Sequence, residues 1–309
     1  MSLLENEGTL FLSGTLTTLQ TVGIVRDLRR GWRVRQRQKT LPTLLVPLTR
    51  GPLQNFYHFF VGYFVPAYDY LRRNSEEPVA MVSCPPFNHW FELLPGGSPQ
   101  IVDQSAALRE ALLANRQGYA HRYRIQRLNY WDKWEHFSDK NLLEISTAIH
   151  DSLGTLTEQL STTTPEIVLL GRHFLPDFYQ IEKSKPYGAT KRNIPNLSEL
   201  KKNLALNYSV ELVDGAEISP QEMYVKCSNA KLLIGQHGAG LTNAFFLTRG
   251  AAMIEVVWPD FVNDAHINIY GPLCDELQIR WTRPALQAHP HAEVEPAALL
   301  KEVQRLIER

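Results

Sequence analysis

Four short apolar runs between Ile167 and Val257 constrain this chain most: "IVLLGR", "SVELVD", "KLLIGQ" and "AAMIEVV". Helix-like segments separate them. "NLSELKKNLAL" has Asn196 as its expected cap. "SPQEMYVKCSNA" opens with Ser219 as cap and Pro220 at the first helical position, where proline's missing N–H costs nothing. "LTNAFFLT" is the third. Strand and helix therefore alternate, the rhythm of a parallel, doubly wound sheet. An amphipathic helix, "EVEPAALLKEVQRLIER", follows.

The first half is less regular. "TLFLSG", "TLLVPL" and "PVAMVSC" read as strands, and "AALREALLANR" and Lys140–Leu160 as helices. Gln54–Arg73 has helical length, but Pro66 is expected to end or kink it. The composition changes at "STTTPE", Ser161–Glu166. At 309 residues the chain is long for one domain and comfortable for two. The expectation is two α/β domains, 1–155 and 156–309, with a ligand between them.

Composition narrows the class. Net charge is zero, so nothing global argues for nucleic acid. The three cysteines, Cys84, Cys227 and Cys274, form no CxxC and no disulfide framework, which fits a reducing compartment. No run approaches the roughly 18 apolar residues of a membrane span. The N-terminus lacks the basic start of a signal peptide. A cytoplasmic protein is expected, although a chain trimmed of its anchor would look the same. Arg26–Lys39 is strongly basic. It reads as a solvated surface or as a peripheral contact with an anionic inner membrane face. Tyr130, Trp131 and Trp134 could stack on sugar rings if they line a cleft.

The chemistry points to "GQHGAGLTN", Gly235–Asn243. Ligands of open parallel sheets sit beyond the carboxyl ends of the strands, where this stretch falls. Glycines let backbone approach a ligand, and a following helix turns N–H groups toward an anion. Glu255, ending the next run, could take a ribose hydroxyl. The third glycine of a dinucleotide fingerprint is missing, and no Gly-Lys-Ser/Thr follows. The residues alone leave open a phosphate-binding turn or a tight structural corner.

"LLIGQHGAGLTNAFFLTRGAAMIEVVWP" resembles the C-terminal signature of family 61 glycosyltransferases. "NFYHFF", Asn55–Phe60, is similar to that family's N-x-x-H-aromatic motif. "LLGRHF" with "GATKRNIPNLSEL" is similar to its strand-Arg and basic-Asn segments. The resemblance implies a GT-B fold of two facing Rossmann-like domains. It implies sugar transfer with inversion from a nucleotide-diphosphate donor, most often a UDP-sugar. Because the chain looks cytoplasmic and disulfide-free, a bacterial-like enzyme of surface polysaccharide synthesis is expected, with a hydroxyl of a glycan or lipid-diphosphate-linked molecule as acceptor.

The implied donor site comprises Arg172, Lys191, Arg192, Asn193, His237, Gly238, Ala239, Gly240, Thr242, Asn243 and Glu255. His58 is the candidate base or acceptor-orienting group, since a near-neutral pKa suits that work. One departure stands out. The family commonly has an acid four positions after that histidine, where this chain has Gly62. Asp69 is the substitute candidate, if the helix survives Pro66. No D-x-D is present, and the His289-Pro290-His291 pair shows no third ligand. No essential metal and no cofactor beyond the donor is therefore expected. Two rivals remain open: a sugar-nucleotide or glycan-binding module without catalysis, and a nicotinamide-dependent oxidoreductase.

Overall fold

The computed structural model describes residues 41–47, 53, 55–85, 87–113, 123–128, 141–160, 164–172, 192–215, 217–262 and 268–308. The "TLFLSG" run, Arg26–Lys39, Tyr130, Trp131, Trp134 and Lys191 lie outside the described residues. The chain divides into two compact units, Met1–Asp132 and Lys133–Arg309. Helix Leu142–Gln159 thus groups with the second unit, although it precedes the composition break at Ser161.

The first unit holds a parallel sheet of β1 (Thr43–Pro47), β2 (Val79–Val82), β3 (Gln100–Val102) and β4 (Arg124–Leu128), in the order β3-β2-β1-β4. β1 has no exposed residue, which explains its unbroken apolar reading. β3 and β4 escape sequence reading because they are short or polar edge strands.

The helix after β1 corrects the expectation at Pro66. It does not end there. It runs as α-helix over Phe56–Phe59, widens into a π turn over Phe60–Phe64, and resumes over Val65–Arg73. The Val65 N–H donates to the Phe60 carbonyl, five residues back. Proline removes an N–H and its ring crowds the preceding turn; the widened turn absorbs both. The buried Tyr63 hydroxyl donates to the carbonyls of Leu45 (3.3 Å) and Val82 (3.0 Å), which ties the widened turn to the sheet.

The second unit has a parallel sheet of β5 (Ile167–Leu170), β6 (Val210–Val213), β7 (Leu232–Gln236), β8 (Ala252–Val256) and β9 (Arg280–Thr282), ordered β6-β5-β7-β8-β9. β5, β7 and β8 are buried throughout, as helices on both faces require. Helix Pro220–Asn229 begins with a full capping box: Ser219 Oγ accepts from the Glu222 N–H, and Glu222 reaches back to the Ser219 N–H.

Asn196 differs from its expected role. It makes no side-chain cap to helix Leu197–Leu204. Its amide clamps Val294 instead, donating to the Val294 carbonyl (2.9 Å) and accepting from its N–H (3.1 Å). That anchors the run into the last helix, Pro296–Ile307. Leu299, Val303 and Leu306 of that helix fall on one face and join Ile167, Leu169, Ile254 and Val256 in the core. Each such burial stabilises the unit by about 1.5–3 kcal/mol. Among the described residues, no helix is long and apolar enough to cross a membrane.

Candidate active site

The order of the second sheet reverses between β5 and β7, since β6 lies on one side of β5 and β7 on the other. In open parallel sheets the crevice beyond the carboxyl ends at such a reversal is the binding position. Arg172 follows β5 there, and His237-Gly238 follows β7. The β5–β7 register pairs Leu169 with Ile234. Continued three residues, it sets Arg172 level with His237. The contacts agree: Arg172 Nη2 donates to the carbonyls of His237 (2.7 Å) and Gln236 (3.3 Å). The guanidinium is thus braced by backbone across the crevice.

Gly238 makes this possible. Its φ of +155° lies where L side chains are strained, and an added Cβ would stand 1.6 Å from Arg172 Nη2. A 3-10 helix, Ala239–Phe246, starts immediately after it, where the sequence leads one to expect an α-helix. Asn243 Nδ2 closes the turn on the Gly240 carbonyl (2.8 Å), and the Tyr270 hydroxyl donates to the Gly238 carbonyl (2.7 Å). Thr242 and Asn243 are buried, Ala239 is half-buried and Gly240 is exposed. The first two therefore shape the turn, and the Ala239–Gly240 backbone forms its open side.

A second relationship comes from the other neighbour. β7 and β8 pair Gly235 with Glu255. His237 lies two residues beyond Gly235, so the His237 and Glu255 side chains leave the same face. Glu255 is fully buried, and its Oε1 meets His237 Nδ1 in a short hydrogen bond. β8 and β9 pair Ile254 with Thr282, which brings Arg283 beside Glu255. Arg283 Nε lies 3.6 Å from Glu255 Oε2. Burial lowers the His237 pKa most; Glu255 opposes that, and the Arg192 and Arg283 charges add to it.

Arg192 and Asn193 arrive through a network of buried amides. Gln236 Nε2 donates to Gln287 Oε1 (2.6 Å) and the Pro290 carbonyl (2.8 Å). Gln287 Nε2 donates to the carbonyls of Asn193 (3.0 Å) and Ala292 (2.6 Å). The Asn193 N–H donates to the Pro290 carbonyl (2.9 Å). Burial, then the Arg192 charge, lowers the Arg172 pKa to about 10, so it stays cationic at neutral pH. Burial lowers that of Arg192 as well. Three guanidinium groups thus surround one turn, with Glu255 and Asp214 as the carboxylates that influence them.

The first unit carries His58 and Asp69. His58 lies in the opening turn of the helix beyond β1, capped by Asn55, whose Oδ1 accepts from the Tyr57 N–H (2.9 Å). It is half-buried. Asp69 is buried, and its carboxylate takes Arg72 (3.2 Å) and Arg73. His58 and Asp69 lie eleven positions apart on this helix, roughly 16 Å along the axis. The structure does not bring these two together on one reacting atom. Gly62 is buried within the π turn.

A sequence model of the family described as Glycosyltransferase 61 matches residues 56–254. The chain belongs to glycosyltransferase family 61. The match opens at the residue after Asn55 and closes at Ile254, spanning His58, the Arg172 strand end and the glycine turn. No curated protein sequence matches the chain. Tyr270, Arg283 and Gln287 lie beyond the family match, and nothing in the sequence marked them. They are isolated residues in an unremarkable stretch, and only the β8–β9 register brings Arg283 to Glu255. Among the described residues, no group of three His, Cys, Asp or Glu is arranged to hold a metal.

Proposed function

We propose that this family 61 glycosyltransferase binds a nucleoside-diphosphate sugar, with UDP favoured, at the β5/β7 crevice of its second unit. It transfers the sugar with inversion to a hydroxyl of a glycan or lipid-linked acceptor, in a GT-B arrangement and without an essential metal. The observation that carries this reading is Arg172 braced over Gly238 beside Arg192. Two guanidinium groups and the start of a helix form a ready-made diphosphate cradle. Lys191, next to Arg192 in sequence, is proposed to join them.

In the reaction the anomeric C–O bond to the diphosphate breaks, and its electron pair leaves with the nucleoside diphosphate. The acceptor oxygen bonds to the opposite face of that carbon, and its proton passes to a base. The guanidinium groups offset charge growing on the leaving oxygen, the kind of fixed electrostatic help that lowers such barriers most. His58 is proposed to orient the acceptor or take its proton. The supporting feature is its place beyond the carboxyl end of β1, beside the order reversal of the first sheet, between β1 and β4.

Surface polysaccharide synthesis on the cytoplasmic side, with peripheral contact through Arg26–Lys39, is the setting proposed. It is supported by the three free, buried cysteines and by the basic run itself.

Calorimetric titration with nucleoside diphosphates and their sugars, with and without chelator, tests the donor site. The expected result is chelator-insensitive binding of one nucleotide class, weakened at least tenfold in Arg192→Ala. Absence of binding by every nucleotide would return the glycine turn to a structural corner.

A further inference from the structure

The Arg283–Glu255–His237 chain says which kind of atom His237 meets. A carboxylate can only accept hydrogen bonds, so Nδ1 of His237 must carry the proton that joins it to Glu255 Oε1. The neutral ring then presents Nε2 as a lone pair without hydrogen. A phosphate oxygen is also an acceptor and would face that lone pair unfavourably. A hydroxyl can donate to it.

Only an imidazolium would suit a phosphate, and the surroundings disfavour one. The groups facing the ring are Glu255 from β8, Arg283 beyond β9, Arg192 before helix Leu197–Leu204, and the rings of Phe261 (5.1 Å) and Tyr270 (6.0 Å). One carboxylate thus stands against two guanidinium groups and a largely apolar wall. Burial is the largest cause of the lowered pKa.

We propose that His237 is locked by Glu255 as the Nδ1–H tautomer and accepts a substrate hydroxyl at Nε2, while the arginines take the diphosphate. Glu255 and Arg283 are its positioning residues. This deepens the donor-site reading above and rests on it for the ligand. The hydroxyl has two sources. It belongs to the donor sugar or to the acceptor. In the acceptor case its proton moves to Nε2 as the new C–O bond forms and the nucleoside diphosphate leaves, and Glu255 stabilises the resulting imidazolium.

The tautomer is tested first without ligand or activity, by 15N NMR of the histidine side chains, with His237→Asn supplying the assignment. The expected spectrum shows a neutral His237 protonated at Nδ1 at pH 7, shifting toward an Nε2–H mixture in Glu255→Gln. An Nε2–H ring or an imidazolium in the wild type overturns the proposal, whatever the nucleotide results.

The second arm uses UDP and a panel of UDP-sugars on His237→Asn, whose amide can still donate to Glu255 but lacks Nε2. UDP affinity is expected to stay within about threefold. A loss of tenfold or more confined to UDP-sugars assigns the hydroxyl to the donor sugar. Unchanged binding of both, with kcat reduced at least a hundredfold and KM little altered, assigns it to the acceptor. A tenfold or greater loss of UDP affinity that disappears with salt means His237 meets phosphate and overturns the proposal. If wild-type protein binds no nucleotide, the donor-site reading fails on its own while the NMR result still decides the tautomer.

Discussion

The guanidinium of Arg172 occupies the space that a side chain at residue 238 would need: an added Cβ would lie 1.6 Å from its Nη2. Gly238→Ala is therefore expected to expel Arg172 from its contacts with the Gln236 and His237 carbonyls. Nucleotide affinity should fall at least tenfold, since charge-assisted hydrogen bonds contribute about 1.5–3 kcal/mol each. Gly240→Ala, where the nearest neighbour would be Leu170 Cδ1 at 3.6 Å, should fold normally. Calorimetry on the pair separates a lost cradle from general damage.

Asp69 is expected to support the fold rather than the reaction. Its carboxylate is buried and takes both Arg72 and Arg73 from its own helix. Those arginines are partly exposed, so solvent screens the pairs, and Asp69→Asn should cost about 1–2 kcal/mol. Urea unfolding would show this as a lower midpoint. Nucleotide binding should be unchanged.

The buried amides hold the backbone of Asn193, the residue that follows Arg192. Gln287→Leu removes a donor to the Asn193 and Ala292 carbonyls and an acceptor for Gln236. Unsatisfied buried groups cost about 1–3 kcal/mol. The variant is expected to lose stability and also to weaken nucleotide binding, although Gln287 is not placed against the ligand. Stability loss with unaltered affinity would mean that Arg192 is held by other contacts.

The pH dependence has a definite sign. Burial lowers the pKa of His237, and those of His89 and His150 too, below the ordinary value near 6.5. The unfolded chain then binds more protons in the window between the folded and unfolded values. Stability is fully present above about pH 6.5 and falls as the pH drops below it. His237→Asn should make this acid slope shallower without abolishing it, because the other two histidines remain. Urea midpoints at pH 5, 6 and 7.5 would measure the change.

Helix Pro220–Asn229 depends on its cap. Ser219→Ala removes the acceptor for the Glu222 N–H and should cost about 1 kcal/mol. The Glu222 carboxyl is held below its usual pKa by the Ser219 backbone and hydroxyl. Its contribution is present above the ordinary carboxylate range and is lost as the pH falls through the folded value. A lower melting temperature at pH 7, shrinking at pH 3, is the expected signature.

β5, β7 and β8 could be read from sequence because they are buried on both faces and largely apolar, whereas the short polar edge strand β9 could not. Ser219 and Pro220 marked their helix start, since capping is a local interaction. The π turn escaped because its cause, the missing N–H of Pro66, announces a break and not the way around it. The Asn196 clamp escaped because its partner, Val294, lies far along the chain. Within the site, Arg172, Arg192 and the glycine turn stood out by motif. The bond between His237 and Glu255 did not, because it depends on pairing Gly235 with Glu255 across two strands. Arg283 needed a third strand.

The cations of this site come from widely separated parts of the chain. Arg172 follows β5, Arg192 precedes the next helix, and Arg283 follows β9. They are independent charges in the unfolded chain and near neighbours once the sheet has formed. Folding therefore works against the repulsion between Arg172 and Arg192, and a dianion bound between them would relieve it. Ligand and fold are coupled: a donor at a hundred times its dissociation constant would add about 2.7 kcal/mol to the stability of the folded protein. The melting temperature thus becomes a chemical sensor, able to identify the donor before any acceptor is known.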